Sequence, residues 1–229
     1  MGAEVCLAAE APLGKPVTPV SVEEGYRIWS AHYDRSPNPL TALETRILVD
    51  RLGFLAGCRF LDAGAGTGRW MKYAAAQGAH AAGIDLSSEM LAAAADPSLS
   101  GRLVRGDIRR LPLADRSFEV ALCSLTLGYI ESAEDAVAEL ARVSRRIIVS
   151  DIHPAALDAG WTRSFRMHDR VYEIENFQHR LLCPAGLTEE WSIDGYFGEP
   201  ERHIFEIAGM TDAFEAATAI PAIRAVCWS

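Results

Sequence analysis

The sequence contains no apolar run approaching the roughly 18 residues that a membrane helix requires, and it contains no run of Lys or Arg. The first absence argues against a membrane protein. The second argues against a nucleic-acid binder, because phosphate neutralisation needs basic patches. The first twenty residues also lack the basic start and apolar segment of a secretory leader. With 229 residues, a net charge of −9 and 49% hydrophobic content, the chain has the composition of a globular protein.

The cysteines are few, odd in number and widely spaced. They are Cys6, Cys58, Cys123, Cys183 and Cys227, and no Cys-x-x-Cys pair is present. A disulfide framework or a zinc site needs paired or closely spaced ligands, and His-x-x-x-His spacing is also absent. We therefore expect reduced thiols, no bound metal and a cytoplasmic location.

Hydrophobic periodicity predicts an α/β fold. Ser21 begins a helical pattern that carries Tyr26, Trp29 and Tyr33 on one face, and a second helix is predicted near residues 40–52. Between residues 58 and 151, short apolar runs alternate with helical patterns, which is typical of a parallel sheet covered by helices. The predicted strands are 58–62, 81–85, 103–104, 118–124 and 146–150, and the predicted helices are 69–77, 88–95 and 132–143.

The two ends of the chain follow other patterns. Three prolines and a glycine among residues 12–19 predict a flexible tail over residues 1–20. Beyond residue 151 the alternation stops. There the sequence predicts a β-hairpin over 165–180 with its turn at 168–170, a strand at 191–197, short helices at 201–208 and 212–217, and a last strand at 222–227.

A glycine-rich segment follows the first predicted strand. Residues 62–68 read Asp-Ala-Gly-Ala-Gly-Thr-Gly, with glycine at Gly64, Gly66 and Gly68. Glycine lets the backbone turn tightly and approach a ligand without a Cβ clash, and the next helix presents free N–H groups. This is not the dinucleotide fingerprint, which would need glycine at position 69 instead of Arg69. On its own, the segment is also compatible with a simple strand-to-helix turn.

Three acidic residues end three successive strands. They are Asp62, Asp85 and Asp107. Ligands of open α/β sheets bind outside the carboxyl ends of the strands, where a carboxylate can accept the hydroxyls of a ribose. Asp85 lies 17 residues after Gly68 and has this position on the second strand. A single such Asp is often a turn residue or an N-cap, but three in strand order after a glycine segment predict a nucleoside site.

Several stretches carry a resemblance to a known family. They are residues 60–68 (Phe-Leu-Asp-Ala-Gly-Ala-Gly-Thr-Gly), 83–87 (Gly-Ile-Asp-Leu-Ser), 106–107, 111–113 and 117–121. The chain resembles the class I S-adenosylmethionine-dependent methyltransferases, in the small-molecule type 11 group that includes ubiquinone and menaquinone biosynthesis enzymes. The resemblance covers about residues 22–151. It implies a Rossmann-like, mostly parallel sheet with an antiparallel last strand, helices on both faces and a small β-hairpin cap.

The resemblance also implies a cofactor, S-adenosylmethionine, with S-adenosylhomocysteine as product. It places the ribose hydroxyls on Asp85, the adenine on Asp107 and Ile108, and the methionine part near Ser124 and the glycines. Tyr26 and Tyr33 would cover the cofactor, although packing in the core explains them equally well. The expected cofactor-binding residues are Tyr26, Tyr33, Asp62, Gly64, Gly66, Gly68, Asp85, Leu86, Asp107, Ile108 and Ser124.

These inferences predict one methyltransferase domain over residues 21–229, preceded by the tail over 1–20. Within the domain, we expect an N-terminal helical cap at 21–57 and a cofactor-binding core at 58–151. These are followed by a substrate cap at 152–205 and by residues 206–229, which complete the sheet.

Four of the six histidines lie beyond residue 151, in the expected substrate cap. His153 follows the fifth predicted strand and is our candidate general base, with Asp151 to orient its ring or bind the acceptor. A histidine that only caps local backbone is the alternative. Tyr129, Arg166 and His179 are candidate substrate contacts, and Arg166 is equally compatible with a solvated strand face.

The acceptor is predicted to be a small aromatic or heteroaromatic metabolite, methylated at oxygen, nitrogen or carbon. After the fourth strand, residues 123–126 read Cys-Ser-Leu-Thr instead of the Asn/Asp-Pro-Pro-Tyr-like motif of nucleic-acid amino-methylating enzymes, and no Pro-Cys pair is present. The segment between His179 and Trp191 is short for a full helix, which leaves the pocket more open. We expect a small-molecule substrate, no nucleic acid, no membrane, and a monomer or homodimer. The alternatives are a non-catalytic cofactor-binding sensor or partner subunit, and a nicotinamide-dependent oxidoreductase, which Arg69 disfavours.

Overall fold

The computed structural model describes residues 4–6, 16–94, 96–99 and 101–229. The strands are β1 (Glu4–Cys6), β2 (Val17–Val20), β3 (Arg59–Ala63), β4 (His80–Asp85), β5 (Leu103–Arg105), β6 (Phe118–Ser124), β7 (Ser144–Ile152), β8 (Ser164–Met167), β9 (Arg170–Ile174), β10 (Glu189–Gly195) and β11 (Ile223–Trp228). The α-helices are α1 (Val22–Trp29), α2 (Pro39–Val49), α3 (Arg69–Ala76), α4 (Ser88–Ala93), α5 (Ala133–Val143), α6 (Pro154–Asp158), α7 (Glu199–Ile207) and α8 (Phe214–Thr218). Short 3-10 helices cover Ser30–Arg35, Pro97–Leu99, Leu127–Tyr129 and Thr211–Ala213.

Seven strands form one sheet in the order β10-β11-β7-β6-β3-β4-β5. The pairs β3–β4, β3–β6, β4–β5 and β6–β7 are parallel. The last strand, β11, is antiparallel to β7. The N–H of His153, just after β7, donates to the carbonyl of Ala222, just before β11, at 2.9 Å, so the end of β7 lies beside the start of β11. The predicted mostly parallel sheet with an antiparallel last strand is therefore confirmed.

The chain divides into two compact units, each assembled from three segments. The first consists of Met1–Asp50, Ile152–Gln178 and Asp194–Arg224, and within Met1–Asp50 the structure describes residues 4–6 and 16–50. The second consists of Arg51–Asp151, His179–Ile193 and Ala225–Ser229. The finer domain boundaries that the sequence predicts stay predictions.

The second unit has a continuous apolar core. Helix α5 contributes Ala133, Ala136, Leu140 and Val143 at helical spacing, and all four side chains are buried. The uninterrupted Ile-Ile-Val run of β7, residues 147–149, is completely buried, as expected for a strand covered on both faces. This core fixes the strands whose carboxyl ends carry the predicted acidic residues.

The first unit contains a second, smaller sheet in the order β1-β8-β9-β2. Strands β8 and β9 form the predicted hairpin, but it ends at Ile174 instead of reaching residue 180. Strand β2 pairs in parallel with β9, with Val17 opposite Val171, so part of the predicted tail is ordered. Pro19 is compatible with this position because proline is tolerated in edge strands. Residues 1–3 and 7–15 of the predicted tail lie outside the described residues.

The thiols fall into two environments. Cys123 and Cys227 are fully buried, whereas Cys58 is half-buried and Cys183 is exposed. None of these four described cysteines is in a disulfide, and the prediction of a reduced thiol at Cys6 concerns a side chain outside the described ones. Burial raises the pKa of the Cys227 thiol to about 12.

Within the described residues, the structure contains no helix both long and apolar enough to cross a membrane.

Candidate cofactor-binding site

The glycine segment forms a loop between β3 and α3 that only glycine can adopt without strain. Gly64, Gly66 and Gly68 have φ values of +79°, +54° and +81°. A Cβ on Gly64 would lie 2.4 Å from the Thr126 side chain, and one on Gly68 would lie 2.5 Å from Leu99. The loop therefore packs closely against the segment that follows β6 and against the segment that precedes β5.

Asp85 lies at the end of β4 and is hydrogen-bonded to this loop. Its Oδ2 accepts from the N–H of Gly66 at 2.8 Å, and its Oδ1 accepts from the N–H of Ser87 at 2.8 Å. The parallel register that pairs Ala63 with Ile84 brings the two strand ends together. Burial raises the pKa of Asp85, and the backbone N–H bonds oppose that shift. The carboxylate is therefore partly desolvated but stabilised by directed donors.

Asp62 holds the loop to the helix that follows it. Its side chain is 1% exposed, and Oδ2 accepts from the N–H of Met71 in the first turn of α3 at 3.2 Å. The helix begins after Gly68, which has no side chain to cap it, so Asp62 supplies the missing acceptor. A direct contact of Asp62 with the cofactor stays a prediction.

The predicted adenine region lies after β5. Asp107 accepts from the N–H of Arg109 at 2.9 Å and pairs with its guanidinium at 2.6 Å, which holds the pKa of this carboxyl below its usual value. Ile108 is buried in the core of the second unit, and Leu86, next to Asp85, is 57% exposed. An exposed apolar side chain beside a strand-end carboxylate suits a surface on which a flat ring can lie.

Ser124, at the end of β6, accepts two hydrogen bonds from the first turn of α3. The donors are Nη2 of Arg69 and Nε1 of Trp70, both at 3.1 Å. The guanidinium carbon of Arg69 lies 4.6 Å from the centre of the Trp70 ring, in cation–π contact. Sequence reasoning does not select these two residues as site residues. Their position directly after the glycine loop was the available signal.

Two other predicted residues fix the segment after β6. Oδ2 of Asp151 accepts from the N–H of Gly128 at 2.6 Å, within the turn that contains Tyr129. The ring Nε2 of His179 donates to the carbonyl of Ile130 at 2.7 Å. Asp151 and His179 thus position the backbone next to Ser124, and contacts of these residues and of Tyr129 with a substrate stay predictions.

His153 belongs to the first unit and has partners at both ring nitrogens. Nδ1 accepts from the N–H of Ala155 at 3.0 Å and caps α6. In a neutral ring the proton therefore sits on Nε2, which lies 3.3 Å from Oδ1 of Asp194 and 3.0 Å from Nη2 of Arg224. Desolvation lowers the pKa of His153 below its ordinary value. This geometry corresponds to the capping alternative, and the general-base role stays a prediction.

The remaining predicted residues also lie in the first unit. Tyr26 and Tyr33 pack with Trp29 in an aromatic cluster, at ring-centre distances of 6.1 and 4.7 Å from it. Trp29 in turn stacks on Phe165 at 4.9 Å. Arg166 lies on β8 opposite Val171 of β9. Roles for Tyr26 and Tyr33 at the cofactor, and for Arg166 at the substrate, stay predictions.

No group of three or more His, Cys, Asp or Glu side chains within the described ranges is arranged to bind a metal ion.

The second unit fits a nucleoside with an amino-acid tail. The glycine loop keeps its backbone clear of Cβ atoms at Gly66, where a Cβ would approach only the flexible end of Met90, at 3.1 Å. Asp85 offers acceptors for hydroxyls beside that loop, and α3 begins directly after it. The residues that would hold the nucleoside are thus Gly64, Gly66 and Asp85.

Comparisons with known proteins agree with this fit. A family model described as a methyltransferase domain matches residues 61–167. A malonyl-[acyl-carrier protein] O-methyltransferase of Enterobacter lignolyticus is 32% identical over 130 residues, which cover 57% of this chain and 51% of the relative. A demethylmenaquinone methyltransferase of Tropheryma whipplei is 32% identical over 146 residues, covering 58% and 60%. The chain thus spans about half to three-fifths of the length of these relatives.

The fold has solved counterparts. An S-adenosylmethionine-dependent methyltransferase of Mesorhizobium loti superposes with a TM-score of 0.63 at 22% identity, covering 83% of this chain and 99% of that one. At this identity the likeness shows the fold alone. Together with the matched family model and the relatives, it shows that residues 61–167 are similar to a methyltransferase domain and that the chain shares the fold of S-adenosylmethionine-dependent methyltransferases.

Proposed function

We propose that the protein transfers a methyl group from S-adenosylmethionine to a small-molecule acceptor. The observation that carries the proposal is the contact between Asp85 and the glycine loop, which places a partly buried carboxylate beside backbone free of Cβ atoms. The cofactor supplies a methyl group that its sulfonium already activates. The protein must hold the cofactor, align the acceptor with the methyl group and exclude water. Alignment alone can lower the activation free energy by several kcal/mol.

The chain's own residues divide these tasks. Asp85 and the loop glycines bind the nucleoside, with Asp62 holding the loop against α3. Asp151 and His179 keep the segment after β6 in one conformation through bonds to its backbone. A fixed segment at this position can orient an acceptor without itself taking part in bond making.

We propose an aromatic or heteroaromatic acceptor. One relative is named a demethylmenaquinone methyltransferase and another a malonyl-[acyl-carrier protein] O-methyltransferase, so the relatives differ in the acceptor that their names give. The net charge of −9 disfavours nucleic acid as the acceptor. The oligomeric state, monomer or homodimer, stays a prediction.

The experiment is a transfer assay with labelled cofactor on a panel of phenols, indoles, amines and carboxylic acids. Label transfer to a phenol or indole, abolished by excess S-adenosylhomocysteine, is the expected result. Transfer only to carboxylic acids would refute the aromatic acceptor while keeping the activity. Tight binding of S-adenosylhomocysteine without transfer to any acceptor would favour the non-catalytic sensor.

The general-base role of His153 is tested with two variants. His153→Asn keeps an oxygen that can cap Ala155 but cannot take a proton, whereas His153→Ala removes both functions. If His153 is the base, both variants lose at least about tenfold in kcat, since general bases contribute about 10²–10⁴. If it only caps α6, the Asn variant keeps its turnover and its pH–rate profile.

A further inference from the structure

The turn that follows β4 is held on both sides of Leu86. Before it, the Asp85 carboxylate accepts from the N–H groups of Gly66 and Ser87. After it, the Ser87 hydroxyl accepts from the N–H of Met90 at 3.2 Å and caps α4. Leu86 itself is 57% exposed, beside the carboxylate on which the ribose is proposed to bind. The chain thus fixes the backbone around an exposed apolar side chain at the adenine end of the predicted site.

The side chain of Arg105 supplies a third tether to this turn. Arg105 is the last residue of β5, an edge strand, and the parallel register pairs it with Asp85. The N–H of Gly106 donates to the carbonyl of Asp85 at 2.9 Å, and Nε of Arg105 donates to the next carbonyl, that of Leu86, at 3.0 Å. The guanidinium therefore extends the hydrogen-bond ladder between the two strands by one residue.

Adenine binding should depend on how firmly Leu86 is held. A flat ring gains most from an apolar surface that is already in place, because ordering a side chain or a loop on binding costs affinity. We propose that Arg105 positions Leu86 against the adenine of the cofactor, through its bond to the Leu86 carbonyl and without touching the cofactor itself. This inference rests on the proposed function, because it presupposes an S-adenosylmethionine site beside Asp85.

The test measures the Kd of two ligands by calorimetry on the full chain. One is S-adenosylhomocysteine, and the other is the same molecule with its adenine replaced by hydrogen. Arg105→Met removes the donors and keeps an unbranched stem. We expect it to weaken S-adenosylhomocysteine roughly three- to tenfold, the contribution of one hydrogen bond, and to change the affinity of the base-free ligand by less than about twofold. Arg105→Ala carries the same expectation and serves if the Met variant does not fold.

A second substitution tests whether Arg105 acts through Leu86. Leu86→Ala removes most of the surface on which the ring would lie, and should itself weaken S-adenosylhomocysteine. In this background we expect Arg105→Met to change the affinity by less than about twofold, because a tether to a missing surface has nothing to position. Additive losses would show that Arg105 acts on the cofactor independently of Leu86, and would overturn the proposal.

Arg102→Met is the matched control. Arg102 is exposed and directly precedes β5, so its removal changes the charge at the end of the same strand that lies away from Leu86. It should leave both affinities unchanged, and a loss equal to that of Arg105→Met would point to charge and refute the proposal. Equal weakening of both ligands by Arg105→Met, or an unchanged affinity for S-adenosylhomocysteine, would refute it as well. Absence of S-adenosylhomocysteine binding in the wild type would remove the cofactor site itself, and so separates that failure from the others.

Discussion

Asp62 and Asp85 end neighbouring strands, yet their carboxylates serve different parts of the molecule. Asp62 is 1% exposed and accepts from the N–H of Met71, so its carboxylate acts on the first turn of α3. Asp85 bonds to two N–H groups, and a carboxylate offers about four acceptor positions. The ribose role of Asp85 stays a prediction, and it requires that hydroxyls share this carboxylate with the N–H groups of the loop.

We expect Asp85→Asn to weaken S-adenosylhomocysteine binding by at least about tenfold, because charged hydrogen bonds contribute about 1.5–3 kcal/mol. The amide has one acceptor oxygen in place of two and no charge. Calorimetry gives the affinity, and Asp115→Asn, which alters an exposed carboxylate paired with Arg142, is the control. An Asp85→Asn variant that binds as tightly as Asp115→Asn would rule out the ribose role.

His153 predicts a pH dependence of folding stability. Its pKa is lowered in the folded protein, chiefly by burial and also by Arg224, while Asp194 and Asp158 oppose the shift. The unfolded chain therefore binds a proton at a higher pH than the native one. The stability that neutral His153 provides is complete above its ordinary pKa of 6.5 and is lost as the pH falls through the folded value.

Urea unfolding between pH 5 and 8 checks this dependence. The free energy of unfolding of the wild type should fall on acidification, by at most about 1.4 kcal/mol per pH unit for one proton. His153→Asn should show a shallower slope, whereas His203→Asn, at an exposed position, should keep the slope of the wild type. Parallel curves for all three proteins would show that His153 does not couple to folding.

At the scale of elements, both the backbone conformation and the space for a side chain limit which residues the β3–α3 loop can contain. Gly64 and Gly57 have similar φ values, +79° and +77°. A Cβ on Gly64 would meet Thr126 within 2.5 Å, whereas one on Gly57 would meet no atom of the described residues within 4 Å. We expect Gly57→Ala to cost roughly 1–2 kcal/mol for the left-handed backbone alone, and Gly64→Ala to cost a further 1–3 kcal/mol or so for the overlap.

Urea unfolding of the two variants measures this difference. Adding Thr126→Ala to Gly64→Ala removes the two nearest atoms and should recover part of the additional loss. Equal destabilisation by Gly57→Ala and Gly64→Ala would mean that the loop relaxes away from Thr126.

The sequence predicts an element well when a local run of residues is enough to define it. Strand β6, Phe118–Ser124, has the predicted bounds because a buried run between polar residues defines a strand by itself. The sequence does not predict strand β2, because β2 is ordered by pairing with β9, about 150 residues away, and the prolines in and before it suggest a tail. Helix α6 was also missed, since it is only one turn long and its cap is a histidine.

The site shows the same division. The strand-end carboxylates and glycines follow from local patterns, because each acts from its own strand or turn. The triad of Arg69, Trp70 and Ser124 joins two elements whose separation in sequence carries no signal. Roles that depend on long-range side-chain pairing therefore become visible only in the folded chain.

At the scale of the whole molecule, neither compact unit is a continuous stretch of chain. Each consists of three segments, and the second ends with the five residues Ala225–Ser229. A truncation after residue 151, where the sequence suggests a boundary, would remove segments from both units. Expression of the cofactor-binding core alone is therefore a poor assay for this site.

Cofactor binding should stabilise the whole chain by mass action. At free S-adenosylhomocysteine 100 times its Kd, we expect the free energy of unfolding to rise by about 2.7 kcal/mol. NAD at the same concentration should give no increase, because Arg69 replaces the third glycine of the dinucleotide fingerprint. Thermal or urea unfolding with each ligand measures the effect, and stabilisation by NAD would revive the oxidoreductase alternative.

Because the thiols differ in exposure, an alkylating reagent should react with them selectively in the native protein. The thiolate is the reactive form, and a pKa of about 12 leaves Cys227 almost entirely protonated at neutral pH. Cys183 is exposed and reacts in the intact molecule, whereas buried Cys123 and Cys227 react once β6 or β11 opens. The order in which the cysteines are alkylated therefore reports the opening of two strands of the large sheet. The experiment needs no introduced cysteine.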